Sequence, residues 1–167
     1  MPILVGVISG DVATSPTLAR PKAVREFGTT ANAGNNYDLE RRVFDILNDE
    51  RSGNGLPPLR WSNEVADLAR SHSQNMADYK FFSHRDAGGL TVDGRAESYG
   101  LSGWRGIGEN IATLRGRSDP AVTAVETWMS SPGHRQNILG GRWSDSAVGV
   151  AVAKDGTYYF TQVFILR

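Results

Sequence analysis

Cysteine is absent from this 167-residue chain, so thiol nucleophiles, thiolate metal sites and disulfides are all excluded. An excess of either charge is missing as well. Eighteen basic and eighteen acidic side chains cancel, which leaves no global field to attract nucleic acid or an anionic membrane. No transmembrane segment is expected either. The apolar run Ile3-Leu4-Val5-Gly6-Val7-Ile8 falls far short of the roughly 20 residues that span a bilayer. It also has no positive stretch before it, as a signal peptide would, and reads as a short strand or tail packed on the domain. Two hydrolase signatures are missing: the Gly-x-Ser-x-Gly elbow and the His-Glu-x-x-His zinc motif. Histidine occurs only three times.

The 40% hydrophobic content is that of an ordinary globular protein, and the length suits one domain with a buried core. Residues 1–36 form an expected N-terminal arm, rich in Gly, Ser, Thr, Pro and Ala and closed by Asn32-Ala33-Gly34-Asn35-Asn36. The compact domain is expected over 37–167. Leu39, Val43, Ile46 and Leu47 recur at helical spacing until Gly53 and Gly55 interrupt them. Leu56 to Trp61 reads as an extended connector. Ser62 is a good N-cap for a helix reaching about Tyr79, with Val65, Leu68, Ala69, His72 and Met76 inward.

From Asp86 to Gly106 the chain is rich in turns, with one helical turn around Arg95–Tyr99. Asp119-Pro120 pairs an N-cap with proline at the first helical position. The helix it starts should bury Val122, Val125, Trp128 and Met129, and Ser131-Pro132-Gly133 should break it before a shorter helix at about His134–Leu139. Ala147–Ala153 and Thr157–Leu166 are rich in Val, Tyr and Phe and meet through Lys154-Asp155-Gly156, a hairpin signal. Helices first and an antiparallel β-hairpin last indicate an α+β domain.

Chemistry concentrates in three segments: Phe81-Phe82-Ser83-His84, Gly108-Glu109-Asn110-Ile111-Ala112, and the run from Ser131 through Pro132-Gly133-His134-Arg135 to Leu139. Histidine moves protons or binds metals near neutral pH, and a carboxylate orients it or shares the metal. The intervals of 25 residues from His84 to Glu109 and from Glu109 to His134 mean that only the fold can gather them. His72 lies on an apolar helical stripe and reads as a core residue. Trp61, Trp104, Trp128 and Trp143 read as packing, because Arg and Lys do not cluster around them as nucleic-acid binding requires. Ser83 beside His84, and Ser131 three residues before His134, are conceivable nucleophile pairs. Adjacent strand residues face opposite ways, however, which disfavours the first if that segment is extended.

Together the three segments resemble the signature of the CAP superfamily, the domain shared by cysteine-rich secretory proteins, venom antigen 5 and plant pathogenesis-related protein 1. The resemblance covers roughly Leu39 to Phe164, and the lack of cysteine is similar to the bacterial branch. It implies a three-layer α-β-α sandwich and an extracellular or cell-envelope location. His84, Glu109 and His134 match the family's cleft histidines and glutamate, and Ser131 stands where a second glutamate is expected, leaving three groups instead of four. Ser131, Asn110 and Arg135 would line the cleft, and Asn137 would brace it.

Two imidazoles and a carboxylate are adequate ligands for Zn²⁺ or another divalent cation, with a fourth position open to water. The same groups can equally form a hydrogen-bonded polar cluster. The resemblance thus implies a binding module for a lipid, sterol or protein ligand. Its rivals are a metal-assisted hydrolase of peptides or esters with Glu109 as base, and a structural domain with an inactive cleft.

Overall fold

The computed structural model describes residues 30–167, so the expected apolar tail and the arm as far as residue 29 lie outside the described residues. Helix α1, Thr30–Gly53, takes in the last seven residues of the expected arm and begins before the Tyr37 boundary. It buries Val43, Phe44 and Leu47, and Gly55, at a φ of 74°, turns the chain beyond it. The connector that follows contributes a two-residue strand, β1, Arg60–Trp61, parallel to the later Asp145–Ser146.

Helix α2, Asn63–Tyr79, starts where the Ser62 Oγ accepts the Val65 N–H at 3.4 Å. All five expected inward residues, His72 among them, are buried. Helix α3, Val92–Ser98, has about two turns where one was expected, and its buried positions Val92, Arg95 and Ala96 follow i, i+3, i+4 spacing. Strand β2, Gly106–Leu114, comes next. Asp119 caps helix α4, Pro120–Met129, accepting the Val122 N–H at 3.2 Å. This helix buries Ala121, Ala124, Val125 and Trp128, and the expected Val122 and Met129 lie at the edge of that stripe, partly exposed. Helix α5, Pro132–Ile138, begins two residues before the expected His134. The hairpin β3, Asp145–Val152, and β4, Tyr158–Leu166, closes the chain.

The four strands lie in the order β1-β3-β4-β2, with β2 antiparallel to β4 and forming one edge. Alternate residues divide between two cores, as a pleated sheet requires. Ile107, Ala147, Val163 and Ile165 join α2 and α3 through Val65, Leu68, Ala69 and Ala96. Ala112, Val148, Val150, Phe160 and Phe164 join α1, α4 and α5 through Val43, Leu47, Trp128 and Ile138. Helices therefore cover both faces of the sheet. A half-buried ion pair crosses between layers: buried Glu40 of α1 accepts from Arg70 of α2 at 2.7 Å and from the Val150 amide of β3 at 3.1 Å.

The approach of α2 to β3 is set by one glycine. A Cβ at Gly149 would lie 2.1 Å from the Arg70 amide nitrogen and 2.4 Å from the Ala69 carbonyl carbon. Both are backbone atoms that no rotamer change can move. We expect Gly149→Ala to destabilise the domain by about 3 kcal/mol or more in urea unfolding. Gly53→Ala, where nothing lies within 4 Å of the new methyl, should change stability by less than about 1 kcal/mol. Equal effects of the two substitutions would contradict the close-packing argument.

Candidate functional site

Edge strand β2 carries the site. Its pleat sends Glu109 toward the α2 and α3 side and Asn110 toward the α5 side. Glu109 is 1% exposed, and both of its oxygens are engaged. Oε1 accepts the His84 Nδ1–H at 2.9 Å, and Oε2 accepts from the Arg95 guanidinium. A carboxylate can only accept, so Nδ1 of His84 carries the proton in this pair. Arg95, itself 5% exposed, also donates through Nη1 to the carbonyls of His84 at 2.8 Å and Leu90 at 3.1 Å. One guanidinium thus fixes the Glu109 side chain and both ends of the loop that holds His84. That histidine retains 13% side-chain exposure, the most of the three.

His72 supports the same loop from beneath. Its Nε2–H donates to the Ser83 carbonyl at 2.9 Å, while its Nδ1 has no partner among the described residues. Burial holds its pKa below the usual histidine value, against the opposing pull of the Glu109 carboxylate and with the repulsion of Arg95 in support. The neutral ring suits the site, because a second N–H would find no acceptor.

On the other side of β2, Asn110 Nδ2 donates to the His134 carbonyl at 3.2 Å. Asn137 Nδ2 donates to Asn110 Oδ1 at 3.0 Å and to the Glu109 carbonyl at 3.4 Å. The expected bracing by Asn137 is therefore a bond to the strand itself. His134 is buried on α5. Ser131 caps the same helix with its backbone and lines an open groove with Thr123, Glu126, Thr127 and Ser130. Arg135 is exposed.

The family model described as the cysteine-rich secretory protein family, CAP, matches residues 44–164. The chain belongs to the CAP family. This CAP domain is 33% identical over 146 residues to the uncharacterized protein YkwD of Bacillus subtilis, covering 87% of this chain and 54% of that protein. It is 34% identical over 155 residues to the uncharacterized membrane protein YlbC of the same organism, covering 90% of this chain and 40% of the relative. The chain thus spans about half the length of these curated relatives or less. Among solved structures, an extracellular SCP-domain protein of Bacillus anthracis superposes with a TM-score of 0.70 at 30% identity, over 85% of this chain and 45% of that one. An outer surface protein of Borrelia burgdorferi shares the fold, at a TM-score of 0.68 and 16% identity over 76% of this chain and 91% of its own.

The residue missed in the sequence is Arg95. Its signal was its place on the inward stripe of α3 beside Val92 and Ala96, where an unpaired cation is not tolerated. With Arg95 in place Glu109 orients His84 through its Nδ1–H, which makes Nε2 the nitrogen of that ring that bears the lone pair. The carboxylate already serves two donors, one of them a permanent cation. Among the described residues no three His, Asp or Glu side chains form a group able to hold a metal.

A lowered histidine pKa means that the unfolded chain takes up a proton the folded one refuses. Stability should therefore be fully present above the ordinary value of 6.5 and fall as pH drops below it. The expected slope for His72 is at most about 1.4 kcal/mol per pH unit. Urea unfolding between pH 7.5 and 5, by about half-unit steps, should show a shallower acid decline in His72→Gln than in the parent. Parallel declines would assign the acid sensitivity elsewhere.

Proposed function

We propose that this CAP domain is a binding module acting outside the cell or at its envelope, and that its ligand is a polypeptide. The observation that carries the reading is the loop between α2 and α3. Arg95, Glu109 and His72 pin its backbone and His84 from the inside, while Phe82 and Leu90 remain 45% and 42% exposed on either side of His84. Apolar side chains held outward on a fixed backbone lose little entropy when a partner covers them. The extracellular neighbour from Bacillus anthracis supports the location. No helix among the described residues is long and apolar enough to cross a membrane.

A lipid or sterol ligand would call for an apolar cavity. The groove beside α4, about 380 Å³ in volume, is open and lined by four hydroxyl side chains and Glu126. The metal-assisted hydrolase is the weaker reading, because Glu109 is buried and each of its oxygens already accepts a hydrogen bond.

The test is co-sedimentation of the purified protein with cell envelopes of the producing organism, before and after the envelopes are treated with protease. Binding should be saturable, lost after protease treatment, and weakened about tenfold or more in the Phe82→Ser, Leu90→Ser double variant. Saturable binding of a fluorescent fatty acid, unaffected by that variant, would favour the lipid ligand instead. Hydrolysis of a peptide or ester that disappears in Glu109→Gln would replace the binding module with an enzyme.

A further inference from the structure

We infer that the polypeptide docking on the loop between α2 and α3 is acidic, and that Lys80 and Arg85 are the cations that select it. The inference rests on the proposed reading of that loop as a polypeptide-docking surface. Between residues 80 and 90 the chain carries two cations, Lys80 and Arg85, and one carboxylate, Asp86. The carboxylate is engaged within the loop, where its Oδ1 accepts the amides of Gly88 and Leu90, each at 2.9 Å. Asp78, in the last turn of α2, accepts from Gln74 at 2.7 Å. Both cations are exposed, and neither makes an ion pair among the described residues. Exposed apolar anchors flanked by unpaired cations complement a chain that carries carboxylates beside apolar side chains.

The backbone around each cation holds it in place. Lys80 ends α2 at a φ of 54°, and among the described residues it is the only one other than glycine at a positive φ. Its N–H and that of Phe81 both reach the Met76 carbonyl, a helix-ending turn that favours glycine because a Cβ is strained there. A lysine at this position gives up stability that glycine would retain, and strain of this kind is kept where the side chain serves a function. Arg85 donates from Nη1 to the Gly89 carbonyl at 2.8 Å. That bond fastens its guanidinium next to Leu90 and leaves its other N–H groups for a carboxylate, with less entropy to lose on binding.

The test is competition in the envelope co-sedimentation, with a random copolymer of glutamate and tyrosine as the probe and a copolymer of lysine and tyrosine as its control. The acidic copolymer should displace the protein and the basic one should not. The Lys80→Gln, Arg85→Gln double variant should weaken envelope binding about tenfold or more and flatten its dependence on salt. Lys80→Gly alone should raise the midpoint of urea unfolding while weakening binding, which separates recognition from folding. Displacement by the basic copolymer, or by neither, would overturn the inference. Protease-sensitive binding that the double charge variant leaves unchanged, but that Phe82→Ser with Leu90→Ser abolishes, would overturn the acidic ligand and leave the polypeptide reading standing. Binding that survives protease treatment would overturn both.

Discussion

Two consecutive residues at one sheet edge, Glu109 and Asn110, hold the two sides of this domain in register. The pleat of β2 turns their side chains to opposite faces, so each fastens a different set of elements. Glu109 secures the His84 loop and α3. Asn110 secures α5 through the His134 carbonyl and Asn137. The strand can do this because it is paired along nine residues with β4 on its inner side and met by α5 on its outer one. An edge strand left open would present unpaired backbone to other chains. Here the side chain of Asn137 takes part of that edge.

The buried charge is stable because the carboxylate meets a cation and each of its oxygens accepts a hydrogen bond. A carboxylate 1% exposed would be untenable alone, and a guanidinium 5% exposed equally so. Paired with each other and with His84, they form a buried polar unit between the sheet and α3. Such a unit adds little net stability compared with apolar packing, but losing one member is severe. What the unit supplies is geometry. It keeps a solvent-facing loop at a fixed height above β2, and the outward display of Phe82 and Leu90 follows from that.

The helices were largely legible in the sequence, because Ser62 and Asp119 are strong caps and the apolar stripes behind them repeat at helical spacing. The β3–β4 hairpin announced itself through Asp155-Gly156 between two β-rich runs. Strand β2 did not. Gly106, Gly108 and Asn110 are poor strand formers, and tertiary pairing with β4 overrides that preference. The start of α1 was hidden by Gly34 and the asparagines around it, which read as a linker.

Within the site, the pairing of His84 with Glu109 could be anticipated only through the family motif, since 25 residues separate them. Arg95 was overlooked because it sits in a turn-rich stretch where a cation ordinarily points to solvent. The central claim is that Arg95 and Glu109 stabilise the fold as a pair. A double-mutant cycle with Arg95→Met and Glu109→Gln, read by urea unfolding, tests it most directly. Each single variant strands a buried partner and should cost about 3 kcal/mol or more. The double variant should cost less than the sum of the two by about 2 kcal/mol or more. Additive losses would contradict the account, because they would mean that the two side chains support the fold separately.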